Sequence, residues 1–336
     1  MSARPSNKPS LIWGNLVHLS MNMWFDCGLK NLPLKRRIRD FHYQPYLRFD
    51  FKLWHDLIPA MKNTGLNMVV LDLGDAVHYK SHPEIAVKNA LPPKRLREEL
   101  QRLRDHGLEP IPKLNFATTH DTWLGSYSRM ISTKTYYQVC RDLIKEVTDL
   151  FDGPRFFHLG MDEETAVNQI YQQFAAIRQF DLWWHDLFFL FNEVRRNGAR
   201  PWIWSDYEWY HTQDFYKHMP KYVLQSNWWY YTKLNPKTTL VRCNPQDHDM
   251  DKLLKLKPVQ AYISLEKHGY DQVLTGSNVS RPDSMAETAA FAITHIKRKR
   301  MYGFLMTTWR AMLAENRKLH FEAIAQVGQA KKQFTK

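Results

Sequence analysis

Four times along the chain an amphipathic segment at helical spacing closes on a polar pair and a glycine, and an apolar run begins at once. The joints are Asn63-Thr64-Gly65, Asp105-His106-Gly107, Arg196-Asn197-Gly198 and Lys267-His268-Gly269. Glycine suits the left-handed residue just past a helix, so each joint predicts a helix end followed by a strand. The strands so predicted are 66–73, 108–115, 199–205 and 270–277. They are apolar runs more than alternating ones, the pattern of a parallel sheet covered on both faces. Four more, 11–19, 156–160, 222–226 and 302–308, complete a set of eight, and helices are predicted over 51–63, 93–105, 135–150, 176–196 and 285–299. Alternation of strand and helix implies right-handed crossovers and a parallel sheet. After the first strand comes Met21-Asn22-Met23-Trp24, where a doubly wound sheet would more often carry a glycine-rich phosphate loop. The expectation is an α/β fold, a single (β/α)8 TIM barrel over residues 11–336 with a polar tail at 1–10. The segment 238–243 has no place in that scheme.

With 336 residues, 44% hydrophobic and 14% aromatic, the chain has ample material for one barrel core. No run reaches the roughly 18 apolar residues that span a bilayer, so no membrane partner is expected. The start is polar and lacks an apolar export core, which makes a cytoplasmic location the expectation. Cys27, Cys140 and Cys243 are far apart and odd in number, giving neither a disulfide framework nor a metal spacing. The net charge of +13 raises the question of nucleic acid. However, Lys94, Arg95, Arg97, Arg102 and Arg104 interleave with Leu96, Leu100 and Leu103 at helical spacing. The run from Lys297 to Arg300 reads as the end of another helix, where cations suit the dipole. These are solvated faces on separate elements, and no nucleic-acid partner is expected. What the charge does offer is a field that favours an anionic substrate.

In a barrel of this kind the chemistry lies at the carboxyl ends of the strands. Those ends carry Asp72 and Asp75 (strand two), Asn115, Thr119 and His120 (three), and Asp162, Glu163 and Glu164 (four). Strand five ends in Trp204 and Asp206, followed by Glu208. Strand six leads to Asn227, Trp228, Trp229 and Tyr230, and strand eight to Trp309 and Arg310. Carboxylates transfer protons and bind hydroxyls, while tryptophan faces stack on the C–H faces of sugar rings. Their gathering at one rim points to a carbohydrate cleft.

The stretch His158-Leu159-Gly160-Met161-Asp162-Glu163 resembles the His-x-Gly-Gly-Asp-Glu signature of family 20 glycoside hydrolases, the β-N-acetylhexosaminidases. Gly107 to Pro112, Thr119 to Gly125 and Gly303 to Trp309 are similar to further segments of that family, so the likeness runs from about Leu66 to Trp309. It implies Glu163 as general acid and then base, and Asp162 as the group that orients the substrate's 2-acetamido function and supports its developing charge. It implies Asp75 and His120 as a relay tuning the acid, and Trp204, Trp228 and Trp309 as pocket walls. Tyr230 would help hold the acetamido group, with Asn115 and Asp206 also at the substrate. Met161 stands where the family has glycine, and the family's arginine near the end of strand one has no counterpart between Leu16 and Asp26.

The activity so implied is substrate-assisted, retaining and exo-acting hydrolysis of 2-acetamido sugars, which needs no enzymic nucleophile and no cofactor. Two alternatives stay open. One is a glycosidase of other specificity using two enzymic carboxylates, with Asp206 or Glu208 as base. The other is a carbohydrate-binding barrel without catalysis. Glu266 is no nucleophile, because it lies three residues before Gly269 and so on the helix preceding strand seven. No metal site is expected. His78 and His82 sit beside Pro83 in a loop, and the acidic cluster from Asp247 to Asp251 reads as a helix start.

Overall fold

A computed structural model describes residues 10–26, 39–170, 172–238, 240–241 and 255–334. Eight parallel strands close a barrel: β1 (Ile12–His18), β2 (Met68–Asp72), β3 (Glu109–Lys113), β4 (Phe156–His158), β5 (Arg200–Trp204), β6 (Leu224–Ser226), β7 (Gln272–Ser277) and β8 (Met301–Thr307). Each lies beside its neighbour in sequence and β8 closes on β1, through pairs such as Leu16 with Thr307. All eight predicted strands are present, and the glycines of the four joints have φ between 70° and 89° (Gly107 and Gly65).

The outer ring comprises α1 (Phe51–Thr64), α2 (Pro93–Asp105), α3 (Lys134–Leu150), α4 (Asp181–Arg196), the short α5 (Tyr207–Tyr210) and α6 (Thr212–His218), α7 (Pro258–Lys267), α8 (Ser284–His295) and α9 (Arg317–Phe334). In α1, Asp50 caps the first turn by accepting from the Lys52 and Leu53 amides, and Leu53, Trp54, Leu57, Ile58 and Met61 form one buried stripe toward the sheet. Residues on alternate strand positions fill the barrel itself. Ile12, Leu16, Met68, Val70, Ile111, Phe156, Trp202, Leu224, Val273 and Leu305 belong to one apolar cluster inside it.

The departures have local causes. The helix expected from 176 begins only at Asp181, because the Arg178 amide and guanidinium both bond Glu164 instead of entering a helical turn. The helix expected to reach 299 stops at His295, and Ile296 turns extended and buried. The basic run after it therefore decorates no helix terminus: Lys297 stands 3.5 Å from Glu266 and Arg300 3.1 Å from Asp271. The unplaced 238–243 segment contributes Leu240–Val241, paired antiparallel with Lys255–Leu256. The acidic cluster from Asp247 to Asp251 lies outside the described residues, as do Cys27, Cys243 and the polar tail apart from Ser10. Cys140 is a buried free thiol on α3. On α2, Arg95 and Arg102 pair with Glu99, and Arg97 and Arg104 with Asp152. Among the described residues no helix is long and apolar enough to cross a membrane, and no three His, Cys, Asp or Glu side chains cluster so as to hold a metal ion.

The last barrel positions of β1 to β4 form a charged layer. The Lys113 ammonium, fully buried, donates to Asp72, whose same oxygen is 3.1 Å from His18 Nδ1. Burial pulls the His18 imidazole toward its neutral form, while Lys113 holds Asp72 low against its own burial. Replacing Lys113 by methionine would strand a buried carboxylate. Chemical denaturation is expected to show a loss of about 3–5 kcal/mol for Lys113→Met, and a smaller loss when Asp72→Asn removes the stranded charge as well.

Candidate active site

Strand β4 runs into a corner whose backbone is left-handed at Gly160 (φ 73°), Met161 (φ 74°) and Glu163 (φ 58°). Such conformations cost side-chain-bearing residues on the order of 1–3 kcal/mol each and persist only where the surroundings over-determine them. Here Asn115, just past β3, is the first clamp. Its Oδ1 accepts from the amides of Ala117 (3.1 Å) and Met161 (3.2 Å), and its Nδ2 donates to Asp162 Oδ1 (2.8 Å). A Cβ on Gly160 would lie 1.9 Å from that Oδ1, so no other residue fits there. The second clamp holds Glu163. Its amide donates to Asp206 Oδ2 (2.8 Å), and its carbonyl accepts from Thr119 Oγ1 and from the Thr165 amide, both at 2.7 Å.

The two acids of the corner therefore face different surroundings. Asp162 is buried, with 6% of its side chain exposed, whereas Glu163 shows 20%. His120 lies between them, fully buried, its Nδ1 3.2 Å from Asp162 Oδ1 and its Nε2 3.5 Å from Glu163 Oε2. The first contact is a hydrogen bond; the second is an ion-pair separation, since Nε2 has no hydrogen-bond partner. Burial opposes charge on His120, but the Asp162 and Glu163 carboxylates together outweigh it and raise the imidazole to about 10. Reciprocally, burial works against Asp162, yet the His120 charge, with Lys113 and Asn115 behind it, holds that carboxyl well below the usual range. Asp206 behaves oppositely: burial first, then the nearby Asp162 charge, push it upward.

Above this corner opens a cavity of about 270 Å³ at the carboxyl end of the barrel. Among the described residues, Asp162 and Glu163 are the carboxylates that line it, within walls that include Trp24, Phe41, Trp228, Tyr230 and Trp309. The Tyr230 hydroxyl accepts from Trp309 Nε1 (3.0 Å), which leaves its own proton to donate, and burial keeps it protonated. Size and composition suit a polar ligand with apolar faces, such as one sugar ring.

The expected site residues fall into two groups. Asp162, Glu163, Trp228, Tyr230 and Trp309 line the cavity, and His120 supports both acids from behind. The others stand elsewhere. Asp75 is no partner of His120: its Oδ2 accepts from Asn22 (2.9 Å), its Oδ1 has no hydrogen bond, and burial pushes the carboxyl up to about 7. Asn115 and Asp206 shape the corner and do not line the cavity, and Asp206 Oδ1 further accepts from Trp228 Nε1 (3.3 Å). Trp204 lies beneath, its ring 4.6 Å from His158 and 6.1 Å from Trp309. Glu208 is buried, accepts from the Tyr216 hydroxyl (2.9 Å) and does not line the cavity. Glu164 is sequestered by Arg178, which also reaches Asp186 (3.3 Å). Sequence reasoning missed Trp24, Phe41 and the role of Arg310 in the lining. The edge of Trp24 meets His120 with ring centres 4.4 Å apart, a contact that no periodicity signals.

No protein-family model and no curated protein sequence matches the chain. Among solved structures it is similar to a family 20 exo-β-N-acetylglucosaminidase from Vibrio harveyi in complex with N-acetylglucosamine (TM-score 0.62, 13% identity, covering 95% of this chain and 54% of that one). It is likewise similar to the family 20 β-N-acetylhexosaminidase of Streptomyces coelicolor (0.58, 12%, 95% and 65%) and to a β-N-acetylhexosaminidase from Bacteroides fragilis (0.59, 10%, 95% and 66%). At these identities the likeness is one of fold. The barrel is that of the family 20 enzymes, and the chain spans about half the length of the Vibrio protein.

The charge pair at the centre has a pH signature. Asp162 is depressed, so its contribution to stability is present above its unfolded value of 3.8 and lost as pH falls toward its folded value. His120 is raised, so its contribution is complete below 6.5 and lost as pH rises through about 10. The stability difference between wild type and His120→Gln is therefore expected to be largest between about pH 4 and 6.5 and to shrink toward pH 10. Urea denaturation across that range measures it, and a difference flat with pH would contradict the pairing.

Proposed function

We propose that this chain is a glycoside hydrolase, with Glu163 as the general acid at the mouth of the barrel. More specifically, it is an exo-acting β-N-acetylhexosaminidase working by substrate assistance. The observation that carries the reading is the acid pair of the left-handed corner, Asp162 and Glu163, the carboxylates that line an aromatic cavity among the described residues. An enzyme with two enzymic carboxylates acting on opposite sides of the bond needs a second acid across the cavity. Asp206 and Glu208, the residues available for that part, are committed to the Glu163 amide and to Tyr216.

In the reaction Glu163 protonates the glycosidic oxygen while the substrate's acetamido oxygen attacks the anomeric carbon, forming an oxazolinium. Asp162 Oδ1 is taken by Asn115 and His120, which leaves Oδ2 to accept the acetamido N–H and to offset the positive charge that develops there. Having given up its proton, Glu163 faces the charged imidazole of His120 at 3.5 Å, which stabilises the carboxylate until it draws a proton from water in the second step. Tyr230 donates to the acetamido oxygen, and Trp228 and Trp309 cover the sugar's apolar faces.

A panel of 4-nitrophenyl β-glycosides tests this. The N-acetylglucosaminide or N-acetylgalactosaminide is expected to react and the plain glucoside not to, and Glu163→Gln is expected to slow turnover by roughly a hundredfold or more. Equal turnover of the glucoside would remove the acetamido mechanism. Sugar binding with no turnover of any glycoside would identify a binding protein instead.

A further inference from the structure

Among the described residues, one cation in the cavity wall has no carboxylate partner. Arg310 follows Trp309 at the end of β8, lines the same cavity as Glu163, and is half-buried. Its Nη1 donates to the Trp309 carbonyl (2.9 Å), and its guanidinium lies 5.8 Å from the centre of the Phe41 ring. Other arginines near the site are neutralised: Arg129 by Asp26, and Arg178 by Glu164 and Asp186. Among the described residues the remaining charges of the cavity cancel. His120 offsets Asp162, and Glu163 is neutral in the acid form that the first step requires. Arg310 therefore leaves a net positive charge in a partly desolvated space, within a molecule whose overall charge is +13.

We propose that Arg310 selects sugars bearing an anionic group, a sulfate ester or a carboxylate, on the ring in the cavity or on its neighbour. This deepens the glycosidase reading and rests on it for its catalytic form. The guanidinium has five N–H donors in a planar fork, of which one is used by the Trp309 carbonyl. Sulfate and carboxylate oxygens take two parallel donors from such a fork, whereas neutral hydroxyls use them singly and leave the charge uncompensated.

The test compares kcat/KM for the 4-nitrophenyl N-acetylglucosaminide and its 6-sulfate. It also compares a disaccharide of N-acetylglucosamine linked to glucuronic acid with neutral chitobiose, so that the two arms separate sulfate from carboxylate. Wild type is expected to favour one charged member by at least about tenfold, a preference that weakens with added salt. Arg310→Gln is expected to bring the charged-to-neutral ratio close to one, and Arg310→Lys to restore part of it. Thermal melts of both variants show whether they are folded. Equal use of charged and neutral substrates by wild type, or a preference that Arg310→Gln leaves intact, overturns the proposal while the glycosidase reading stands. If no glycoside is cleaved, that reading fails, and titration calorimetry decides the inference by itself. N-acetylglucosamine 6-sulfate, or the glucuronic acid disaccharide, binding at least about tenfold tighter than its neutral counterpart, with the difference lost in Arg310→Gln, sustains it, and equal affinities in both comparisons overturn it.

Discussion

The left-handed corner at the end of β4 is the constraint from which the rest of the site follows. A strand leaving the barrel in ordinary conformation would carry successive side chains to opposite faces. Positive φ at Gly160, Met161 and Glu163 instead aims the neighbouring acids Asp162 and Glu163 at one cavity. Local bonds, such as that from the Thr165 amide to the Glu163 carbonyl, are only part of what stabilises that backbone. It is held from β3 by Asn115, from the loop after β3 by Thr119 and from the end of β5 by Asp206. The barrel's closure thus acts on the chemistry directly, because it is the register of β3, β4 and β5 that brings these three side chains within hydrogen-bond reach.

Electrostatics divides the labour of the pair. Equal carboxyls side by side would compete for one proton. Here His120 hydrogen-bonds one and only approaches the other, so Asp162 is committed to its charge while Glu163, more exposed, faces the cavity. Beneath them the Lys113 charge adds to the hold on Asp162, although Lys113 itself bonds Asp72. The same ammonium, together with burial, keeps His158 neutral, and that imidazole accepts from the Gly160 amide at 3.0 Å. The charged layer thereby reaches into the corner from below.

Much of this was legible in sequence where a local rule decided it. The helix ends at Gly65, Gly107, Gly198 and Gly269 were readable because a left-handed residue after a helix is a local need. Asp162 and Glu163 were readable because the ends of barrel strands are the productive place to look. Where partners come from far away, reading failed. Residues 176–180 look helical until Arg178 finds Glu164 and the Phe116 carbonyl, a pairing that no periodicity signals. Asp75 and His120 both sit just past strand ends, yet only coordinates show that Asn22 has taken the aspartate. Asn115 and Asp206 stand at the expected rim and bond the corner, a task no sequence pattern separates from substrate binding, since a polar side chain there serves backbone or substrate equally well. Trp24 and Phe41 lie in irregular segments without a period to betray them.

Met161 is the clearest departure from the resembling motif, and magnitudes show why the corner tolerates it. A methionine at φ 74° carries a backbone cost on the order of 1–3 kcal/mol, which glycine would avoid. Its side chain, however, is 1% exposed and joins the principal apolar cluster, a burial of roughly 1.5–3 kcal/mol that glycine would forgo. The two terms are of equal size, so the substitution is close to neutral for the fold. It also leaves the geometry alone, because the Met161 amide still reaches Asn115 and the side chain is turned into the core and away from the cavity lining. Gly160 has no such latitude: a Cβ there collides with the very oxygen that holds the Met161 amide. Of the two motif positions, the one that departs is the one where physics permits it.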